Sequence, residues 1–213
     1  MIKMAYNSMH EILASLAAHN KKVFSINDAA KAMGKPKHYV SKLLSSNKGV
    51  ERIERGKYYI KSAHADMYEI ASQIVFPCYI SGFAALGYHG LVEQSVVKYT
   101  VIALKRHKQI SVAGSSIEFV TFPKSRFFGY KKEGSIYMAS VEKAIVDSLY
   151  LGSPPYSYVS EAFDNASKNG MLNACTLIEF ADKMGAKKVA LEAKSLLGKK
   201  ETPKNKAAIK AIR

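Results

Sequence analysis

The segment 26–46 reads INDAAKAMGKPKHYVSKLLSS, and its spacing constrains the fold more than any other part of the chain. Ala30 is small enough to let two helices cross closely. Gly34, four residues later, supplies the positive φ that a tight turn between them needs. Val40 and Leu43 follow six and nine residues after Gly34 as inward apolar contacts. This spacing predicts a helix-turn-helix.

The residues that flank the two predicted helices mark where each one starts. Ser25 is placed to cap the first helix, with Asp28 at the capping-box position, and Pro36 suits the first turn of the second helix. If Val40 and Leu43 face inward, the opposite side of the second helix presents groups that suit phosphates and base edges. The predicted DNA-binding residues in this segment are Lys35, Lys37, His38, Tyr39, Ser41, Lys42 and Ser45.

A β-hairpin is predicted directly after the second helix. Residues 50–60 carry β-forming side chains on both sides of Arg55-Gly56, where glycine permits a tight reversal. With a third helix over residues 6–19, residues 1–61 are predicted to form a winged helix-turn-helix domain. Such domains also dock proteins, and this alternative stays open. The predicted phosphate contacts near the hairpin tip are Arg52, Arg55 and Lys57.

The net charge of +15 is distributed unevenly along the chain. Residues 1–61 hold twelve basic and four acidic side chains, residues 62–197 hold fourteen and twelve, and residues 198–213 hold six and one. A polyanionic partner explains a basic excess at both ends, because neutralising phosphates releases counterions and supplies affinity for DNA. A membrane surface fits less well, since no segment joins a basic face to a long apolar one.

The remainder of the chain is predicted to be an α+β domain. A linker helix is expected within 62–78, followed by a small antiparallel sheet and C-terminal helices over 79–198 and a basic tail over 199–213. The expected strands are 96–104, 110–112, 116–121, 127–130 and 135–138, and the expected helices are 64–75, 81–88, one that starts at 140, 157–167, 173–184 and 186–197.

The sequence offers little support for metal, redox or catalytic chemistry. Cys78 and Cys175 belong to no Cys-x-x-Cys set, and we expect two reduced, buried thiols. The sequence contains no Gly-x-x-x-x-Gly-Lys loop, no Gly-x-Ser-x-Gly elbow and no His-Glu-x-x-His. We therefore expect a non-enzyme without cofactor. The alternative is a nuclease whose site assembles only in the fold, around Glu118 and Lys124.

Two basic runs in the second domain have alternative interpretations. The run RFFGYKK over 126–132 suits either single-stranded nucleic acid or a strand with one buried aromatic face, and the run KRHK over 105–108 is expected to be a charged hairpin turn. Either would extend a DNA-binding surface if the domains pack suitably. His89 at a helix end is expected to bind a carbonyl, and Lys143 to pair with Asp147 one turn later.

Several blocks of the second domain resemble the AbiEi family. They are YISGFAALGYHGL over 79–91, YTV over 99–101, FG over 128–129 and ASVEKAIVDSLY over 139–150, and the resemblance extends over about residues 4–197. It implies a transcriptional regulator and antitoxin of an abortive-infection, type IV toxin–antitoxin system. Its winged helix would bind promoter repeats and repress its own operon.

The same resemblance implies two kinds of partner. The second domain would oppose a nucleotidyltransferase-like toxin without forming a stable complex with it, and the winged helix would bind double-stranded DNA. Two copies on repeated half-sites would match the symmetry of the repeats, and whether they form a homodimer before they bind DNA stays open. We expect a cytoplasmic protein with no membrane partner, since no segment has the pattern of a transmembrane helix or a signal peptide.

Overall fold

The computed structural model describes residues 8–19, 21–61 and 66–198, and these form two hydrophobic cores. The expected basic tail, the start of the linker segment and the first residues of the first helix lie outside the described residues. The smaller core belongs to residues 8–61, called here the N-terminal unit, and the larger one belongs mainly to residues 66–198, the C-terminal unit. The fold is mixed α and β in both units.

The N-terminal unit contains three helices and a three-stranded antiparallel sheet in the order β1-β3-β2. Strand β1, which pairs with the hairpin, was not predicted. The core is formed where the helices meet the sheet, around Ile12, Ala29, Val40 and Tyr58. The elements are α1 (Met9–Ala18), β1 (Val23–Ser25), α2 (Ile26–Met33), α3 (Lys37–Ser46), β2 (Val50–Glu54) and β3 (Lys57–Ile60).

Local signals fix the boundaries of α2 and α3. The Ser25 side chain accepts a hydrogen bond from the Asp28 amide, and the Asp28 carboxylate accepts one from the Ser25 amide, which completes the predicted capping box. Gly34 ends α2 at φ +62°, a left-handed conformation that glycine adopts without strain. Pro36 directly precedes α3. The predictions for Ser25, Asp28 and Gly34 are confirmed, whereas Pro36 lies one residue before the first turn in which it was predicted.

The C-terminal unit is built on a six-stranded sheet in the order β6-β7-β5-β4-β9-β8. The expected small sheet is therefore wrong in size. The expected antiparallel pairing is right for three strand pairs, β4–β5, β6–β7 and β8–β9, and wrong for β5–β7 and β4–β9, which are parallel. Strand β6 forms an antiparallel hairpin with β7, and β7 pairs with β5 on its other side. The strands are β4 (Cys78–Ser81), β5 (Lys98–Ala103), β6 (Ile110–Val112), β7 (Ser115–Thr121), β8 (Tyr130–Glu133) and β9 (Ile136–Ala139).

Six helices of the C-terminal unit cover this sheet or pack beside it. The central one, α6, has nine buried residues in a row, from Val141 to Leu149. Helix α4, expected to join the two domains, buries Ile70, Ala71 and Ile74 in the larger core. The helices are α4 (Met67–Ile74), α5 (Gly82–Tyr88), α6 (Val141–Leu151), α7 (Tyr156–Lys168), α8 (Ala174–Lys183) and α9 (Lys187–Gly198). No helix among the described residues is long and apolar enough to cross a membrane.

The two units touch through both apolar and charged contacts. Val23 and Ile53 of the N-terminal unit belong to the larger core. The Lys22 ammonium lies 2.9 Å from the Glu69 carboxylate of α4, and His107 Nε2 lies 3.0 Å from the Glu54 carboxylate of β2. The β2–β3 hairpin is therefore held against the C-terminal unit along one side.

Candidate nucleic-acid interface

Helix α3 has one buried side and one exposed side. Val40 and Leu44 are 0% and 2% exposed and pack in the smaller core, and Leu43 is half-buried against it. Because these residues recur at helical spacing, they fix which side of α3 faces outward. The buried side of α3 therefore fixes the helix to the core of the N-terminal unit.

The outward side of α3 carries most of the predicted DNA-binding residues. Tyr39 is 46% exposed, which is high for a large aromatic side chain. The Ser45 hydroxyl donates to the Lys42 carbonyl at 2.8 Å, so its lone pairs remain available as acceptors. Ser41 is half-buried. The exposed members of the predicted set in this segment are Lys35, Lys37, His38, Tyr39, Lys42 and Ser45.

A shallow cleft of 430 Å³ lies where α2 meets the start of α3. Lys31, Lys35 and Lys37 line it, and no side chain caps the first turn of α3. The positive end of the α3 dipole and three lysine residues thus lie at one cleft, which suits a phosphate group. Lys31 is not among the DNA-binding residues predicted from the sequence, although it lies only four residues before Lys35.

The β2–β3 hairpin presents two of its three predicted basic residues to solvent. Arg52 and Arg55 are exposed, and the Arg52 Nε donates to the Glu54 carbonyl at 3.1 Å. Gly56 adopts φ +80° in the turn, as the reversal requires. Lys57 points elsewhere, since its ammonium donates to the Ile74 carbonyl of α4 and pairs with Glu54 at 3.2 Å. The structure therefore does not bring Lys57 to the exposed tip.

The run 105–108, named here the basic loop, lies beside the hairpin. The expected hairpin turn is wrong, because the strands that the loop joins, β5 and β6, both pair with β7 and not with each other. The His107 ring packs on Phe119 with centroids 4.5 Å apart and faces Glu54. Lys108 and Arg55 line a common groove of 390 Å³. Lys105 and Arg106 are exposed as well.

The second basic run, 126–132, is mostly engaged inside the C-terminal unit. Arg126 donates to the Met184 carbonyl and to the Tyr150 hydroxyl, and its guanidinium lies over the Tyr150 ring. Phe127 packs against Tyr79, with ring centroids 5.1 Å apart. The strand expected at 127–130 begins only at Tyr130. The half-buried aromatic side chains of this run pack within the unit.

A buried polar cluster underlies α6. The Lys143 ammonium lies 2.6 Å from Asp147, whose carboxylate also accepts hydrogen bonds from the Tyr79 and Ser81 hydroxyls at 3.1 and 2.8 Å. Burial raises the pKa of Asp147 and lowers the pKa of Lys143, because it disfavours both charged forms. The expected Lys143–Asp147 pair is confirmed. His89 Nε2 lies 2.8 Å from the Ala139 carbonyl oxygen, as expected of a carbonyl-bound imidazole.

The remaining candidate chemical groups lie apart. Glu118 of β7 forms an ion pair with Lys98 at 2.7 Å, and Lys124 begins a short 3-10 turn. Cys78 is buried as expected, whereas Cys175 is exposed on α8, so the expectation of two buried thiols is wrong. Across residues 8–19, 21–61 and 66–198, no group of three or more His, Cys, Asp or Glu side chains is arranged to hold a metal ion.

Comparisons with known proteins add no relative to this description. A scan against protein-family models gives no match for the chain, and a search of curated proteins gives none either.

Proposed function

We propose that this protein is a cytoplasmic, sequence-specific regulator of transcription that binds double-stranded DNA through a winged helix-turn-helix in its N-terminal unit. One observation carries the proposal. Helix α3 buries Val40 and Leu44 while it exposes a basic and polar side, and a hairpin with exposed Arg52 and Arg55 follows it. A packed helix with a basic outer side is the arrangement that enters the major groove.

The proposed mechanism is repression by occupancy. Helix α3 enters the major groove, where Lys42 contacts phosphate and His38 and Tyr39 contact base edges. The hairpin places Arg55 on adjacent backbone, and the basic loop beside it adds Lys108 to the same phosphate surface. The lysine-rich tail adds affinity that does not depend on sequence. Two copies on repeated half-sites would match the symmetry of promoter repeats.

The resemblance to the AbiEi family supports a more specific form of the proposal. The protein represses its own operon and acts as the antitoxin of a type IV pair, opposing a nucleotidyltransferase-like toxin without a stable complex. The buried Lys143–Asp147 cluster falls within the resembling ASVEKAIVDSLY block, and its role there is to hold the C-terminal unit together. It is not proposed to act in catalysis.

Fluorescence anisotropy tests the proposal. The full chain is titrated into the duplex found directly upstream of its own gene and, separately, into a shuffled duplex of the same composition, over a salt series. We expect the native duplex to stay bound near physiological salt while the shuffled duplex dissociates. Equal affinity and equal salt dependence for both duplexes would contradict sequence-specific binding and leave only non-specific attraction.

A further inference from the structure

A groove of 570 Å³ runs between the two units, and no residue of α3 lines it. The N-terminal unit contributes Lys21 and residues of β1, α2 and β3. The C-terminal unit contributes the end of α4, Phe76 just after it, and residues of β8, β9 and the turn between them. This volume lies within the usual range for small-molecule sites, about 300–1,000 Å³. The groove is too small for a duplex and large enough for one planar ring with its substituents.

An open aromatic corner forms one end of this groove. Phe76 is 67% exposed, and its ring centroid lies 5.8 Å from that of Tyr137, with the two planes inclined at 56°. Burying a phenylalanine side chain contributes about 1.5–3 kcal/mol, and the fold leaves most of this surface in water. Because most of the Phe76 side chain is exposed, another planar ring can stack on it.

A lysine beside this corner has no acidic partner. The Lys132 ammonium lies 5.9 Å from the Tyr137 ring centroid and pairs with no carboxylate among the described residues. The one carboxylate that lines the groove, Asp28, is already bound by Lys21 at 3.3 Å and by the Ser25 amide and hydroxyl. The lining of the groove therefore has a net positive charge, and Lys132 lies beside the half-buried Tyr137 ring.

We propose that this groove binds a mononucleotide, with the base stacked on the exposed Phe76 ring beside Tyr137 and the phosphate on Lys132. A ring alone would use only the aromatic corner, and a free anion would use only the ammonium. A nucleotide uses both, since base stacking and phosphate binding by lysine are favourable at adjacent positions. Nothing in the proposed DNA interface requires this groove, and the inference goes beyond that function.

Calorimetric titration of the full chain tests the inference, with AMP as the probe and adenosine and inorganic phosphate as its two halves. We expect AMP to bind at one site per chain, and each half to bind at least tenfold more weakly. Phe76→Ala and Lys132→Gln should each weaken AMP binding by about fivefold or more, which is about 1 kcal/mol per contact. Both side chains are exposed or half-open to solvent, so thermal melting should show that the variants stay folded.

Two substitutions serve as matched controls. Lys131→Gln removes the same charge from the neighbouring position of β8, which faces the other side of the strand. Leu191→Ala truncates a side chain that is 68% exposed on α9, as Phe76→Ala does at the groove. Both should bind AMP as the original protein does.

Three results would overturn the inference: no saturable AMP binding at millimolar concentration, equal binding of phosphate and AMP, or AMP binding that neither groove variant weakens. The titration contains no DNA, so any of these results leaves the proposed regulator function intact.

Discussion

The Lys143 ammonium and the Asp147 carboxylate lie 2.6 Å apart, one helical turn from each other in α6, with both side chains fully buried. The carboxylate has two further donors, and the ammonium also donates to the Arg126 carbonyl and lies 4.1 Å from the Phe128 ring centroid. Each charge is thus compensated inside the core. Because a buried charge is costly when it is alone, the two residues depend on each other.

Replacing one partner should destabilise the protein strongly. Asp147→Asn leaves the Lys143 ammonium buried without its counter-charge, and we expect the free energy of unfolding to fall by about 3–5 kcal/mol in urea titrations. The matched control is Lys188→Gln, which breaks an exposed pair with the same i,i+4 spacing and should cost less than about 1 kcal/mol. Similar losses in the two variants would contradict the burial argument.

Gly129 should be less replaceable than other glycines with positive φ. It has φ +72°, and an added Cβ would lie 2.8 Å from a Phe180 ring carbon and 3.0 Å from the Lys143 Cβ. Gly185 has φ +68° with nothing within 4 Å of that position. We expect Gly185→Ala to cost about 1–2 kcal/mol from backbone strain alone, and Gly129→Ala to cost clearly more. Equal midpoints of thermal unfolding would show that the Phe180 ring moves aside freely.

The residues that the sequence predicted well are those whose partners are close in the chain. Ser25 and Asp28 form their capping box three residues apart, and Gly34 ends its own helix, so local chemistry decides both. The inward positions of α3 follow from periodicity in the same way. The predicted exposed side of α3 depends only on such local information.

The features that could not be predicted from the sequence depend on residues that are far apart in the chain. Strand β4 reads as a short apolar run, and nothing local states that its neighbours are β5 and β9. Lys57 resembles Arg55 as a basic hairpin residue, yet its ammonium binds a carbonyl seventeen residues away. The contact between His107 of the basic loop and Glu54 forms only because one unit packs on the other. Long-range pairing therefore decided which basic residues remained free.

The two thiols should differ in reactivity. Cys78 is buried and donates to the Ser72 carbonyl at 3.3 Å, and burial raises the pKa of its thiol to about 12. Cys175 is exposed. At pH 8, iodoacetamide should therefore add once per folded chain, at Cys175, and at Cys78 only after unfolding in urea. Peptide mass spectrometry distinguishes the sites, and early modification of Cys78 would contradict its burial.

Acid should weaken the contact between the units through Glu69. Burial alone would raise the pKa of this carboxyl, but the ion pair with Lys22 and the hydrogen bond from Ser135 outweigh it and hold the pKa below its ordinary 4.5. Because the folded pKa is the lower one, this stabilisation is complete above pH 4.5 and is lost as the pH falls through the folded value.

The Glu69→Gln variant tests this pH dependence. It should be about 1 kcal/mol less stable than the original protein at pH 7, and the difference should shrink as the pH falls below 4.5. Thermal unfolding measured from pH 7 to pH 3 provides both curves. Parallel curves over the whole range would mean that Glu69 does not contribute to the acid sensitivity.

Substitutions on α3 and the hairpin should divide into two kinds of effect on DNA binding. Lys42→Gln and Arg55→Gln should weaken binding to native and shuffled duplexes alike and should each reduce the salt slope by about one, because each removes one proposed phosphate contact. His38→Ala and Tyr39→Ala should instead change the ratio of the two affinities, because these side chains are proposed to contact base edges. Anisotropy titrations at several salt concentrations measure both quantities.

Lys57→Gln is the most informative variant to compare with Arg55→Gln. Like Arg55→Gln, it removes one positive charge from the hairpin. Unlike Arg55, however, Lys57 has an ammonium that binds the Ile74 carbonyl and Glu54. We expect it to lower the unfolding midpoint and to leave the salt slope unchanged, the reverse of Arg55→Gln. If Lys57→Gln lowers the slope as much as Arg55→Gln does, Lys57 leaves its partners to contact DNA. If neither Lys42 nor Arg55 affects the slope, a protein-docking role for the N-terminal unit replaces the DNA-binding one.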